Sequence, residues 1–181
     1  MQTITLNEWE PWEHMKFDGS GTHSDYDAIE IGALDGETTK VLARNFKRVF
    51  VIDPWDGRQQ GVVQKYDIWK NNTKEFKNVF HARTGSETQE ARNFLASVKD
   101  WNLGFVYVDG LHTAEAVVND INLVFPYSNN KTKIMVDDVE YPPVQIGCNQ
   151  AFIQLAPKIL FEKIIKSSLH PRIKWIYGVN N

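Results

Sequence analysis

Four short apolar runs stand out along the chain, and each ends at a polar residue or a glycine. They are rich in β-branched residues and too short for helices, a pattern typical of strands buried on both faces of a sheet. The runs are Ala28–Ile31, Val49–Ile52, Phe105–Val108 and Ile134–Val136. A weaker strand is predicted over Asn78–His81.

Segments with helical periodicity lie between and after these runs. Apolar residues recur at spacings of three and four over Glu37–Phe46, Gln89–Val98 and Ala114–Val124, and a further helix is predicted near Val144–Leu155. Strands that alternate with helices predict βαβ crossovers, and therefore a parallel sheet covered by helices on both faces.

The end of the chain has a different pattern. Ile159–Ile165 and Ile173–Val179 are strand-like, and the segment between them is too short for a helical crossover, so they should pair as an antiparallel hairpin. We therefore expect a Rossmann-like α/β fold with a seven-stranded, mostly parallel sheet and a C-terminal antiparallel hairpin. The whole chain, 1–181, should form one domain in which residues 1–26 are an N-terminal cap or lid.

Composition narrows the class of protein. The 181 residues are 42% hydrophobic and 24% charged, which is ordinary for a globular domain, and no apolar run approaches the ~20 residues that cross a bilayer. The net charge of −3 and the absence of a basic block argue against a nucleic-acid partner. The single cysteine, Cys148, cannot form an internal disulfide, and Met1–Ile4 do not resemble the start of a signal peptide. We expect a cytoplasmic protein without a membrane partner.

The loop after the first run, Glu30–Thr38, carries two glycines. Gly32 and Gly36 allow a tight turn and a close approach to a ligand, and Thr38 lies where the next helix begins, at N–H groups that favour a carboxylate. The spacing differs from the G-x-G-x-x-G of dinucleotide-binding proteins. Asp53 ends the second strand at the usual place for an acid that binds ribose hydroxyls, although it could equally start a turn with Pro54.

Three carboxylates follow the last two parallel strands. Asp109 ends one strand, and Asp137 and Asp138 end the other. Like charges that meet at one edge favour a cation, and oxygen ligands suit Mg²⁺. His112 lies within reach as a base. Alternatively, Asp109 starts a turn, His112 caps the next helix, and Asp138 faces away, because adjacent strand residues alternate in direction.

The segments Glu30–Gly36 and Val51–Asp53 resemble the first two motifs of class I S-adenosylmethionine-dependent methyltransferases. The resemblance implies that Asp53 binds the ribose. Arg83–Glu87 is similar to the loop at the adenine of that family, with Ser86 as the contact, although Ser86 or Thr84 could instead be a helix N-cap. The resemblance implies the following cofactor-binding residues: Glu30, Gly32, Gly36, Thr38, Asp53, Ser86 and Asp109.

Asp109–Asp120 is similar to the D-G-x-H-[ST]-Y-E-x-V-x-x-D stretch of a small subfamily of sugar and macrolide-sugar O-methyltransferases and cephalosporin-hydroxylase-like relatives. The resemblance covers roughly residues 27–152. It implies that Asp109, Asp137 and Asp138 bind the metal and that His112 is the general base, so that His112 and Asp109 are the catalytic pair. Ala114 replaces the tyrosine of the motif, and 129–131 replaces a glycine pair.

These observations predict an O-methyltransferase that uses S-adenosylmethionine and Mg²⁺ or another divalent cation. The expected acceptor is a small hydroxylated molecule such as a sugar. The alternatives are a hydroxylase-like or N-methyltransferase relative and a non-catalytic nucleotide- or sugar-binding member of the fold. An NAD-dependent oxidoreductase is disfavoured by the glycine spacing. The identity of the acceptor and the oligomeric state, with a homo-oligomer as one option, stay open.

Overall fold

The computed structural model describes residues 2–6, 23–57, 65–155, 159–167 and 173–179, with side chains for 25–57 and 65–155. The strands are β1 (Gln2–Leu6), β2 (His23–Ile31), β3 (Phe46–Ile52), β4 (Val79–Ala82), β5 (Leu103–Val108), β6 (Lys133–Val136), β7 (Ile159–Ser167) and β8 (Ile173–Val179). The helices are α1 (Glu37–Asn45), α2 (Tyr66–Thr73), α3 (Gln89–Ala96), α4 (Ala114–Val124) and α5 (Pro142–Leu155).

The strands form one sheet in the order β1-β7-β8-β6-β5-β2-β3-β4. The predicted parallel core is confirmed, because β6, β5, β2, β3 and β4 all pair in parallel. β2 lies between β3 and β5, so the chain order reverses there. In open α/β sheets, such a reversal opens a crevice at the carboxyl ends of the strands, where ligands bind.

The remaining strands extend the sheet on one side. β8 runs antiparallel to both β6 and β7, and β1 runs parallel to β7. The predicted number of seven strands is wrong, because β1 adds an eighth from the segment that the sequence assigned to a cap or lid. The rest of that segment, 7–22, and the connection 168–172 lie outside the described residues.

Helices pack on both faces of the sheet, as the alternation of strands and helices predicts. Ile29 and Ile31 point to the face covered by α3, α4 and α5, whereas Ala28 points to the face covered by α1 and α2. This division follows from the two-residue period of a strand, which sends successive side chains to opposite faces. None of the described helices is both long and apolar enough to cross a membrane.

The helix α2 was not predicted from the sequence. This helix has eight residues and buries only Trp69 and Thr73, so its amphipathic pattern is too short to stand out. Trp69 packs beside Trp55, with ring centroids 4.8 Å apart, and its Nε1 donates to Thr39 at 3.0 Å. α2 therefore stabilises the loops that follow β2 and β3.

Candidate active site

A cavity of about 520 Å³ opens at the carboxyl ends of the parallel strands, at the reversal of chain order. This volume is typical of sites for small molecules. Its walls come from the loops after β2, β3, β4, β5 and β6 and from the start of α4. The residues that line the cavity include Gly32, Asp53, Ser86, Asp109, His112 and Asp138.

The two glycines of the loop after β2 have different surroundings. Gly32 has a φ of +83°, and a Cβ atom there would lie 2.0 Å from the carbonyl oxygen of Asp109, so only glycine permits this approach of two backbones. Gly36 has a φ of +90° and precedes α1, where it packs on Trp69 and Thr73. Of the two, only Gly32 lines the cavity.

Glu30 is completely buried beneath this loop. Its Oε2 accepts a hydrogen bond of 2.5 Å from the hydroxyl of Thr39, and its Oε1 has no hydrogen-bond partner among the described residues. Thr39 faces the acid because it lies on the inner face of α1. Neither Glu30 nor Thr38 is among the described residues that line the cavity.

Burial makes Glu30 a pH-dependent element of stability. Desolvation, opposed by the Thr39 hydrogen bond, raises the pKa of Glu30 from 4.5 to about 8. The folded state therefore holds a proton that the unfolded state releases, so Glu30 favours folding below pH 4.5 and loses that contribution as pH rises towards 8. We expect the unfolding free energy of Glu30→Gln to fall less steeply over this interval, by up to about 1.4 kcal/mol per pH unit.

Chemical denaturation of the wild type and Glu30→Gln between pH 5 and 9 measures this difference. Glu37→Gln, a change at an exposed acid of α1, is the matched control and should keep the wild-type slope. Parallel curves for wild type and Glu30→Gln would contradict the assignment.

Asp53 orders the loops on both sides of it. Its Oδ2 accepts hydrogen bonds from the backbone N–H groups of Ala33, at 2.8 Å, and Leu34, at 3.1 Å. Its Oδ1 accepts from the backbone of Trp55 at 2.6 Å. The turn that the sequence left as an alternative is therefore present, and Asp53 also lines the cavity. One carboxylate can order the loops and also line the cavity, because each of its oxygens has two lone pairs.

Ser86 lies at the far end of the cavity, after β4. Its hydroxyl donates to Oδ1 of Asp120, on α4, and accepts from the side-chain amide of Asn119 at 3.3 Å. The helix cap that the sequence assigned to Ser86 or Thr84 is Thr88, whose hydroxyl accepts from the backbone of Ala91. Ser86 is therefore free of a capping role and borders the cavity.

Asp109, His112 and Asp138 converge at the opposite end. One ligand atom from each lies within 4.8 Å of the other two. Nε2 of His112 is 3.6 Å from Oδ1 of Asp109 and 3.3 Å from Oδ2 of Asp138. Thr113, not His112, caps α4, because its hydroxyl accepts from the backbone of Ala116. The side chains that converge at this rim therefore include His112 as well as two carboxylates.

The adjacent aspartates after β6 point in different directions. Asp138 adopts a left-handed conformation with a φ of +52° and faces His112. Asp137 turns back towards the sheet, where Oδ2 accepts from the hydroxyl of Tyr107 and Oδ1 from the backbone of Asp138 at 2.8 Å. Asp137 is absent from the group of three ligand atoms found among the described residues. Adjacent strand residues alternate in direction, and this alternation separates the pair. The alternative from the sequence had Asp138 facing away, whereas in the structure Asp137 faces away.

Comparison with known proteins identifies the fold. A family model described as a methyltransferase domain matches residues 29–139, more than half of the chain. The chain belongs to this methyltransferase family. The match spans every loop of the cavity described above, and it confirms the predicted methyltransferase family.

Known relatives of this methyltransferase are distant. An uncharacterised protein of Acanthamoeba polyphaga mimivirus is 27% identical over 118 residues, which are 62% of this chain and 51% of that protein. The chain thus spans about half the length of the curated relative that it matches.

Solved structures share the fold at low sequence identity. An rRNA methylase from Streptococcus thermophilus has a TM-score of 0.65 at 12% identity, with 93% of this chain and 95% of that one covered. The N-methyltransferase NodS from Bradyrhizobium japonicum, in complex with S-adenosyl-L-homocysteine, has a TM-score of 0.61 at 15% identity, with 97% and 89% covered. At these identities, the likeness establishes the methyltransferase fold and leaves the acceptor open.

The carboxylates of Asp109, Asp137 and Asp138 influence one another electrostatically. The pKa of Asp109 is raised to about 6, first by desolvation and then by the charges of Asp137 and Asp138, while His112 opposes the rise. The pKa of His112 is raised, first by its contact with Asp109 and further by the surrounding carboxylates, although desolvation opposes this. Like charges that raise a carboxyl pKa are stabilised when a cation lies between them.

Several residues at this site were not singled out from the sequence. Tyr107 and Asp120 are buried beside the cavity. Thr39 donates to Glu30 and Asn119 donates to Ser86, two residues that the sequence did single out. Asp120 closes the Asp109–Asp120 motif and was expected to be a charge on the solvent face of the helix, whereas it is 1% exposed. The others resemble ordinary core or helix residues in sequence, because their role depends on partners distant along the chain.

Proposed function

We propose that the protein transfers the methyl group of S-adenosylmethionine to a hydroxyl oxygen of a small polar acceptor such as a sugar, with help from a divalent cation. The observation that carries the proposal is the convergence of Asp109, His112 and Asp138 within 4.8 Å at one end of the cavity. A base beside two carboxylates is what an alcohol acceptor needs, because an alcohol is a poor nucleophile while it keeps its proton.

The donor atoms fit a divalent cation. Asp109 and Asp138 supply carboxylate oxygens, which suit Mg²⁺ or Mn²⁺, and the spacing of the ligand atoms lets one ion reach both. A bound cation would lower the pKa of a coordinated hydroxyl. Asp137 was also predicted as a ligand. We propose instead that it supports Asp138, because it accepts a hydrogen bond from the backbone N–H of Asp138.

His112 is proposed as the general base. Its Nε2 faces the same two carboxylates, which hold a proton on the imidazole when no other positive charge is present. A cation held by those carboxylates would offset their charge and favour the neutral imidazole that a base requires. In the reaction, an oxygen–carbon bond forms, the carbon–sulfur bond breaks with its electron pair moving to sulfur, and the hydroxyl proton passes to His112.

The rest of the cavity is proposed to hold the donor. Gly32 brings the loop after β2 against the backbone of Asp109, which leaves room for a ligand along this seam, and Asp53 lies on the neighbouring strand. The acidic walls suit the positive sulfonium. Asp53 is assigned to the ribose hydroxyls on the strength of its place at the end of β3.

Ligand binding tests the donor. Isothermal titration with S-adenosylhomocysteine should give a one-to-one complex, and a thermal shift should appear with this ligand and not with NAD. Absence of binding by the homocysteine product would contradict the proposed function. A shift with NAD alone would favour the oxidoreductase alternative.

The metal is tested separately. We expect Mn²⁺ to bind the wild type, and binding to weaken at least about tenfold in Asp138→Asn, because one charged ligand is lost. Glu140→Gln, two residues away and exposed, is the matched control and should bind like the wild type. If methyl transfer to neutral sugars is insensitive to EDTA, the cation is not needed. If amines are methylated and neutral sugars are not, an amine acceptor becomes the better hypothesis.

A further inference from the structure

The order of loops along the cavity fixes the orientation of the donor. Across the sheet, the order β6-β5-β2-β3-β4 places Asp138, Asp109, Gly32, Asp53 and Ser86 in sequence along one rim. If methyl transfer takes place at Asp109 and the ribose lies at Asp53, as proposed above, the base of the nucleoside must extend towards Ser86. This step rests on the proposed function.

The hydroxyl of Ser86 has a defined polarity. It has one proton, which it donates to Oδ1 of Asp120, and it accepts from the amide of Asn119. What remains for a ligand is a lone pair on the oxygen. Ser86 therefore offers an acceptor to the cavity, and not a donor.

Asp120 imposes this polarity. Its side chain comes from the second turn of α4 and is 1% exposed, and hydrogen bonds from Ser86 and Asn119 compensate its burial. Asp120 is not among the described residues that line the cavity, so it acts through Ser86. Desolvation raises the pKa of Asp120 to about 7, and the ionised acceptor form therefore predominates at pH 8.

We propose that Asp120 is a positioning residue that makes the Ser86 end of the cavity selective for a base with an exocyclic amino group. An adenine amino group can donate to the free lone pair of Ser86. The keto oxygen of hypoxanthine would meet that lone pair with one of its own, which leaves both acceptors without a donor. The protein should therefore discriminate adenosyl from inosyl forms of the same ligand.

Titration of S-adenosylhomocysteine and S-inosylhomocysteine at pH 8 tests the proposal. We expect the wild type to bind the adenosyl form at least about tenfold more tightly, the cost of one unsatisfied polar contact. Asp120→Leu removes the acceptor of the serine proton at similar shape and so frees that proton for a ligand, and the preference should fall below about threefold or reverse. Ser86→Ala should bring the two dissociation constants together.

Glu90→Gln is the matched control. This exposed acid lies at the start of α3, close to Ser86 in sequence but outside the described lining of the cavity, and its removal should leave the preference at the wild-type value. Equal affinities in the wild type, or a full preference in both Asp120→Leu and Ser86→Ala, would overturn the proposal. Failure of the wild type to bind either ligand would instead contradict the proposed function on which it rests.

Discussion

Replacing His112 with alanine should lower kcat for methyl transfer by about 100- to 10,000-fold and leave the affinity for Mn²⁺ within about threefold of the wild type. The proposed base contributes to the rate by accepting the hydroxyl proton, whereas the cation is held by Asp109 and Asp138. Steady-state kinetics with an acceptor sugar and titration with Mn²⁺ measure the two quantities independently.

This pair of measurements separates two roles that the geometry allows. Nε2 of His112 lies close enough to both carboxylates to be a third ligand. A parallel loss of Mn²⁺ affinity and of kcat in His112→Ala would identify His112 as a ligand and remove the base assignment. His81→Ala is the matched control, because His81 is exposed on the edge strand β4, outside the described lining of the cavity. It should retain both properties.

The parallel core was predictable from sequence because its signals are local. A buried strand is a short run of β-branched residues, and a covering helix repeats at three and four, so each element is recognisable without its neighbours. The order of these elements then places the strand ends at one edge. On this basis Asp109, Asp137 and Asp138 were expected to converge, and in the structure Asp109 and Asp138 have ligand atoms within 4.8 Å of each other.

The direction of side chains that leave a strand or enter a helix could not be predicted. Asp137 and Asp138 are equivalent in sequence, and the φ of +52° at Asp138 decides which one faces His112. Likewise, the hydrogen bond from Thr39 to Glu30 joins two separate elements, and no local pattern predicts it. These choices depend on tertiary contacts, above all on Tyr107 and Trp69, which lie far away in the chain.

The two loop glycines, which the sequence treated as a pair, should differ in their effect on donor binding. We expect Gly32→Ala to weaken S-adenosylhomocysteine binding by about 100-fold, the loss of about two polar contacts at about 1.4 kcal/mol each. A Cβ at Gly32 would lie 2.0 Å from the carbonyl oxygen of Asp109, so the backbone of one loop must move, and Asp109 with it.

Gly36→Ala is a closely matched control, because its φ of +90° imposes the same left-handed strain of about 1–3 kcal/mol on an alanine. The added methyl would meet the indole of Trp69 at 2.9 Å, a side chain that does not itself line the cavity. Gly36→Ala should therefore lose stability in thermal unfolding but bind S-adenosylhomocysteine within about tenfold of the wild type, since the strain is present in both free and bound protein. Equal losses of affinity in the two variants would mean that the glycines act through the stability of the loop. Unequal losses would locate the donor at the seam between the β2 and β5 loops, because only Gly32 lies against Asp109.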